Sequence, residues 1–146
     1  MTKKNLEDII HPHKLNHGVH DTLIKNVEAA NSISPNVMTI AMNAYYKIPN
    51  RRFKSGFCES DIDLIQLFYD SEIYNIEDWN EVPFADATLL VFEMKSHDSV
   101  RNHRKAMHQL NRTKNMIRRN TKYQNIDCFY AHNIGNSYTW KYEDIK

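Results

Sequence analysis

The chain has 146 residues, of which 41% are hydrophobic and 25% are charged, and its formal net charge at pH 7 is +1. This length predicts one domain with a substantial core. Two cysteines without a ligand pattern, and no apolar stretch that could span a bilayer, argue against a disulfide scaffold and a membrane protein. We therefore expect an intracellular, cytoplasmic protein, and the abundance of Asn, Lys, Ile and Tyr is typical of an AT-rich genome such as that of a virus.

The first predicted element after a polar start is a short helix. Residues 1–20 are predicted to form a flexible leader, and residues 21–146 the single domain. The leader's four histidines match no closed metal site, so we interpret them as exposed side chains. Asp21 is predicted to cap a helix from Thr22 to Asn31, with Glu28 at the edge of its apolar stripe.

Three strands are predicted between this helix and residue 95. The first covers residues 37–46, and the basic segment 49–56 connects it to an apolar run that contains Asp63. The next run, residues 87–92, ends in Glu93-Met94-Lys95. If the second and third strands are antiparallel, then Tyr69 faces Ala87, and the same register places Asp63 opposite Glu93, with their Cβ atoms about 5 Å apart.

This register predicts a buried site with two acids and one lysine. Burying two carboxylates costs several kcal/mol unless a cation lies between them. Carboxylate and carbonyl oxygens are the ligands that Mg²⁺ prefers, so Asp63 and Glu93, next to Lys95, indicate a metal-dependent enzyme. The alternative is an ordinary hairpin whose acids pair with arginines elsewhere.

Charge is segregated along the chain, and the basic part is predicted to be a helix. Between Lys54 and Lys95 there are ten acids and no Lys or Arg, whereas residues 101–122 contain eight basic residues and no acid. Asp98 or Ser99 is predicted to cap this helix, whose apolar arc contains Val100, His103, Met107, Leu110 and Ile117. Its opposite side carries Arg101, Arg104, Lys105 and Arg112, for which we expect contacts with a phosphate backbone, and a solubilising face is the alternative.

Two further strands complete the predicted order of elements. Residues 126–131 and 138–142 flank Gly135-Asn136, a typical hairpin turn. The order is then α-β-β-β-α-β-β, which predicts an α/β (α+β) protein with a central mixed sheet of about five strands flanked by helices.

The arrangement of Asp63 and Phe92-Glu93-Met94-Lys95-Ser96 resembles the PD-(D/E)XK nuclease superfamily, most closely the archaeal Holliday junction resolvases. Ile62 stands where the motif has proline. The resemblance implies a restriction-endonuclease-like core and a Mg²⁺-dependent endonuclease acting on DNA, with Mn²⁺ as a substitute. It makes Asp63, Glu93 and Lys95 catalytic, and Asp63, Glu93 and the Met94 carbonyl the metal ligands.

The same resemblance implies further site residues and partners. Glu28 would add a carboxylate to the metal site, and Gln109 would be an accessory residue. A loop with Arg51, Arg52, Lys54 and Ser55 would approach DNA, with a solvated turn as the alternative. A junction resolvase needs two sites on a symmetric homodimer. The alternatives are a nuclease for linear DNA, a non-catalytic nucleic-acid-binding protein of the same fold, and an interaction module that uses the acidic segment around Trp79.

Overall fold

In the part of the chain that the structure describes, a mixed sheet of six strands with a helix packed on each face forms an α+β fold. The computed structural model describes residues 3–13, 18–49 and 57–145. The strands are β1 (His11–Pro12), β2 (Val37–Pro49), β3 (Phe57–Phe68), β4 (Thr88–Lys95), β5 (Ile126–Ile134) and β6 (Ser137–Glu143), and the helices are α1 (Val19–Asn31) and α2 (Val100–Asn120). Three short 3₁₀ helices cover Leu6–Asp8, Trp79–Glu81 and Phe84–Asp86. No helix in the described part of the chain has the length and apolar character needed to cross a membrane.

The strands lie side by side in the order in which they occur in the sequence. β1 to β4 pair antiparallel, β5 pairs parallel to β4, and β6 returns antiparallel to β5. A parallel pair needs a long crossover connection, and α2 provides the one between β4 and β5. The strand that the sequence did not predict is β1, which pairs His11 with Tyr45 and makes the sheet six-stranded rather than five-stranded.

Each helix buries one apolar stripe against its own face of the sheet. The buried apolar side chains form two clusters, one on each side of the sheet. The larger core cluster contains Leu110 and Ile117 of α2, and the smaller one contains Leu23, Ile24 and Val27 of α1. The N-cap prediction for α2 is confirmed, because the Ser99 hydroxyl accepts the N–H of Asn102 at 3.0 Å. The predicted apolar arc was wrong at its start, since Val100 is 77% exposed, while Ala106 and Thr113 are buried.

The described residues of the predicted leader are packed against the domain. Leu6 and Ile10 are buried in the larger core cluster. The Lys3 ammonium donates to the carbonyls of Arg118 and Arg119 at the end of α2. Helix α1 begins at Val19 with Gly18 as its N-cap, so the predicted cap at Asp21 was wrong and residues 19–21 already belong to the helix.

The predicted register of β3 and β4 is confirmed, and the backbone of the neighbouring strand β2 is distorted next to Asp63. Leu64 pairs with Phe92 and Phe68 with Thr88. Across from Asp63 in β2, the backbone of Asn43 has a positive φ of 53°, a conformation that asparagine tolerates better than most residues. The alternation of faces breaks there. Ser60 and Ile62, at even positions, face the side of the sheet on which α2 packs. Beyond Asp63 it is Ile65, at an odd position, that faces this side.

Candidate active site

Asp63 and Glu93 lie where the ladder between β3 and β4 ends. The last pair in that ladder joins Leu64 to Phe92. Asp63 precedes Leu64 and Glu93 follows Phe92, so the two acids occupy the next position beyond the ladder. Both side chains are buried, with Asp63 3% exposed and Glu93 4% exposed. The backbone N–H of Met94 donates to Asp63 Oδ2 at 2.8 Å. The carboxylate of Asp63 therefore bridges the two strands at the point where backbone pairing stops.

The two carboxyl groups interact strongly, and the effect falls on Glu93. Burial raises the pKa of Glu93 well above its ordinary value, and the negative charge of Asp63 and a hydrogen bond with it raise the pKa further. Lys95 lowers it, and the charge of Asp61 adds a smaller increase. Ionising both acids in this buried position is therefore unfavourable unless more positive charge is supplied.

Lys95 supplies one positive charge to the pair. Its Nζ lies 3.7 Å from Glu93 Oε1 and donates to Gln109 Oε1 at 3.1 Å. The structure therefore places Gln109, an accessory candidate from the sequence, in direct contact with the lysine. A neutral amide acceptor on α2 fixes the ammonium without cancelling its charge.

His20 is a component of this centre that the sequence interpretation missed. Its Nε2 lies 2.9 Å from the carbonyl oxygen of Met94 and 3.4 Å from Asp63 Oδ2, and its Nδ1 lies 3.6 Å from Asp21 Oδ1. The hydrogen bond with Asp63 raises the pKa of His20 to about 9, although burial acts in the opposite direction. The imidazole thus contacts two of the three oxygen donors expected for a metal ion. Its position in the first turn of α1 is the only sequence signal, since the packing of that turn against β4 cannot be read from a pattern.

Glu28 lies away from the carboxyl pair. It follows His20 by eight residues, about 12 Å along the helix axis. Its Oε1 accepts the hydroxyls of Ser32 at 3.1 Å and Thr39 at 3.0 Å. The structure does not bring Glu28 to the centre, and the acid that α1 places there is Asp21, which is joined to His20.

The donor set fits a hard divalent cation. Asp63 and Glu93 offer carboxylate oxygens, and the Met94 carbonyl lies close to Asp63, because both contact His20 Nε2. Oxygen donors of this kind suit magnesium, which keeps several of its waters and needs few protein ligands. Within residues 3–13, 18–49 and 57–145, no group of three or more His, Cys, Asp or Glu side chains is arranged to hold a metal ion. The candidate centre accordingly consists of two carboxylates and one carbonyl.

A basic cleft opens beside Lys95. It has a volume of about 500 Å³ and is lined by Lys95, Lys105, His108, Gln109 and Arg112. Arg112 Nη1 also donates to Ser60 Oγ at 3.2 Å, which ties α2 to β3. Of the predicted phosphate contacts, Lys105 and Arg112 therefore lie next to the candidate site.

The other predicted contacts fall outside this cleft. Arg101 and Arg104 are exposed nearer the start of α2. Arg51, Arg52, Lys54 and Ser55 lie outside the described residues.

Comparison with known proteins gives no relative for this chain. No family model matches it, and no curated protein or solved structure is significantly similar.

Proposed function

We propose that this protein is a Mg²⁺-dependent endonuclease that hydrolyses DNA phosphodiester bonds and has a PD-(D/E)XK, restriction-endonuclease-like core. The observation that carries the proposal is the buried pair of Asp63 and Glu93 with Lys95 beside it. The strand arrangement supports it, since the antiparallel series β2–β3–β4 is followed by a helix and a parallel β5.

The residues of the centre have roles that follow from charge. Cleavage of a phosphodiester develops negative charge on the non-bridging and leaving oxygens. When bound, Mg²⁺ polarises a phosphoryl oxygen and makes hydroxide accessible near neutral pH. Asp63, held by the Met94 N–H, and Glu93 would hold that ion together with the Met94 carbonyl. Lys95, held by Gln109, stabilises the developing charge or orients the attacking water.

The basic cleft supports a polyanionic substrate. Helix α2 has no acid between residues 101 and 122, so its exposed face lacks the opposite charges that usually stabilise a solvated helix. Lys105 and Arg112 line the cleft that Lys95 also lines. Phosphate contacts there would hold a strand next to the carboxyl pair, and they would make binding sensitive to salt.

The proposal is tested by incubating the protein with supercoiled plasmid or a synthetic four-way junction, in Mg²⁺, Mn²⁺ or excess EDTA. Cleavage is expected with either metal and not with EDTA. The isosteric variants Asp63→Asn and Glu93→Gln are expected to abolish it. Glu72→Gln is the matched control, because Glu72 is an exposed acid in the connection between β3 and β4. No cleavage by the wild type, or cleavage by both site variants at the wild-type rate, contradicts the proposal.

Branched DNA is the substrate that the resemblance favours. A resolvase makes paired cuts and needs two sites related by a two-fold axis, so this version of the proposal includes a homodimer. Mapping of cuts on junctions, flaps and linear duplexes separates it from a restriction- or repair-type nuclease. Symmetric paired cuts on junctions, together with a dimeric mass in solution, are the expected result.

A second candidate function is nucleic-acid binding without cleavage. It is favoured by His20, whose Nε2 contacts the same two oxygens, of Met94 and Asp63, that a metal ion would use. In such a protein the imidazole would replace the ion permanently. Salt-sensitive DNA binding that is unchanged by EDTA, without cleavage in any metal, identifies this alternative.

A further inference from the structure

A recess next to the basic cleft has a chemistry different from that of the cleft. It lies between α2 and the second half of β2 and has a volume of about 290 Å³. We call it the α2–β2 recess. Arg112 lines both the recess and the basic cleft, so the two are adjacent along one side of α2.

The floor of the α2–β2 recess is apolar. Tyr46 is fully buried, and its hydroxyl is hydrogen-bonded to Thr113 Oγ1 at 3.2 Å, so it lies beneath the recess and supports the floor without exposing its ring. Ile48 and Met116 are partly buried and pack against the core. The floor that a ligand can reach is therefore formed by Ile48 and Met116. It gives a phosphate group nothing to bind, whereas the face of a nucleobase can pack on apolar side chains.

The rim of the recess is cationic and carries an amide. Arg112 and Arg119 are exposed and line it, and in the described part of the chain no carboxylate forms a salt bridge with them. Asn115 adds an exposed side chain with both a donor and an acceptor. Cations around an apolar floor, with an amide at the edge, suit a nucleotide, since they match its phosphate, its base face and its base edge.

The position of the recess relates it to the candidate active site. Gln109 contacts Lys95, and Met116 follows Gln109 by seven residues on the same helix. Seven residues span about 10 Å along a helix axis. Because one strand of a duplex rises about 3.4 Å per nucleotide, this distance corresponds to about three nucleotides. A base that is paired and stacked has its face covered, so only an unpaired base can lie on the floor.

We propose that the α2–β2 recess binds an unpaired nucleobase of the DNA strand, about three nucleotides from the bond that is cleaved. The inference rests on the proposed nuclease function for the location of that bond. It makes unpaired nucleotides beside the cleavage position, as in a flap, gap or opened branch, the feature that this protein recognises. Fully paired duplex would contact the cationic rim alone.

The test measures binding in the absence of cleavage. Fluorescence anisotropy in EDTA, with every variant in an Asp63→Asn background, compares an oligothymidylate single strand with a blunt duplex of equal length. Met116→Gln removes the apolar floor, and Asn115→Ala removes the amide from an exposed position. Each is expected to weaken single-strand binding by roughly tenfold. Duplex binding should stay within about twofold.

Two further variants separate base recognition from charge. Arg104→Ala, which removes an exposed cation of α2 away from the recess, is expected to weaken both probes by a similar factor. Lys25→Ala removes an exposed lysine from α1, on the other face of the sheet, and should leave both affinities unchanged. Thermal melting checks that each variant folds, and Asn115→Ala decides the matter if Met116→Gln is unstable.

Equal weakening of both probes by Met116→Gln and Asn115→Ala, or no weakening of either, overturns the inference. Because the assay contains no metal, it is independent of the nuclease test. If the wild type does not cleave DNA but these variants selectively lose single-strand affinity, the nuclease proposal is wrong and the recess is still a base-binding site.

Discussion

Two buried polar clusters lie close together on β3, and they are satisfied in opposite ways. One surrounds Gln66 and the other contains Asp63, three residues earlier. Both residues are buried, with Gln66 0% exposed and Asp63 3% exposed. The sheet therefore has two polar centres at similar depth, and their partners decide what each can do.

The Gln66 cluster is a neutral network around one partly exposed carboxylate. Gln66 Oε1 accepts from Asn31 at 2.9 Å, and its Nε2 donates to Thr39 Oγ1 at 3.1 Å. Thr39 and Ser32 in turn donate to Glu28. Every polar group has a complementary partner, so the cluster is explained by the fold alone.

The Asp63 cluster sets two acids against each other. Glu93 has a raised pKa because of its burial and of Asp63, and cationic groups reach the pair from two different elements, His20 on α1 and Lys95 on β4. Ionising both acids in this buried position is unfavourable, so the pair does not stabilise the fold. Burial by itself therefore does not mark a functional site, whereas burial of two acids that cannot both ionise does.

The largest expected difference between the clusters is in catalysis. Asp63→Asn and Glu93→Gln should each lower the rate of plasmid nicking by at least about 10³-fold, or ~4 kcal/mol in the activation free energy. Because Glu93→Gln removes a buried acid whose ionisation beside Asp63 is unfavourable, the free energy of unfolding should equal the wild-type value or exceed it by up to about 1 kcal/mol. Nicking rates and urea denaturation measure the two quantities. A large loss of stability in Glu93→Gln contradicts this description of the pair.

Metal should stabilise the Asp63 cluster and leave the Gln66 cluster unaffected. A ligand that binds only the folded state at about 100 times its Kd adds ~2.7 kcal/mol to the free energy of unfolding. We expect Mg²⁺ to raise the denaturation midpoint of the wild type and of Gln66→Ala. Glu93→Gln should show no such increase. Equal increases in all three proteins would locate the binding elsewhere.

Breaking the Gln66 network should cost stability without affecting catalysis. Gln66→Ala removes the hydrogen-bond partner of the Asn31 amide and one partner of Thr39, and it leaves a void where the buried glutamine packed, which should lower the free energy of unfolding by about 1–3 kcal/mol. The nicking rate per folded molecule should not change. Gln124→Ala, at an exposed glutamine, serves as the control and should change stability by less than about 0.5 kcal/mol.

The smallest expected effect concerns His20. Its Nε2 contacts Met94 O and Asp63 Oδ2, so a bound ion would have to displace the imidazole. His20→Ala should therefore tighten Mg²⁺ binding by about two- to fivefold, the range of a partly exposed ion pair. Isothermal titration calorimetry measures this change. Weaker binding in His20→Ala would instead identify the histidine as a metal ligand and reject the competition.

The centre of the fold could be predicted because its pattern is strong. Two apolar runs fix the register of β3 and β4, since a shift by one residue would expose the whole apolar set. That register is enough to bring Asp63 into line with Glu93. The cap of α2 followed from Ser99 for a similarly local reason, since its hydroxyl satisfies the N–H of Asn102.

What could not be predicted depends on packing between distant elements. The contact of His20 with Asp63 depends on how α1 docks against β4, and nothing in the local sequence specifies that position. The positive φ of Asn43, which breaks the alternation beside Asp63, has no repeat or motif that indicates it. The described residues before Gly18 were predicted to be loose because they are polar, yet Leu6 and Ile10 anchor them in the core.

Whether the buried acids form a metal site is measured by titrating the protein with Mn²⁺ and following the free ion by electron paramagnetic resonance. The wild type should remove Mn²⁺ from solution in a saturable way, and Mg²⁺ should compete with it. Asp63→Asn combined with Glu93→Gln should lose this binding while its fold, measured by circular dichroism, is retained. Equal Mn²⁺ binding by the wild type and the double variant would show that the buried acids do not form a metal site.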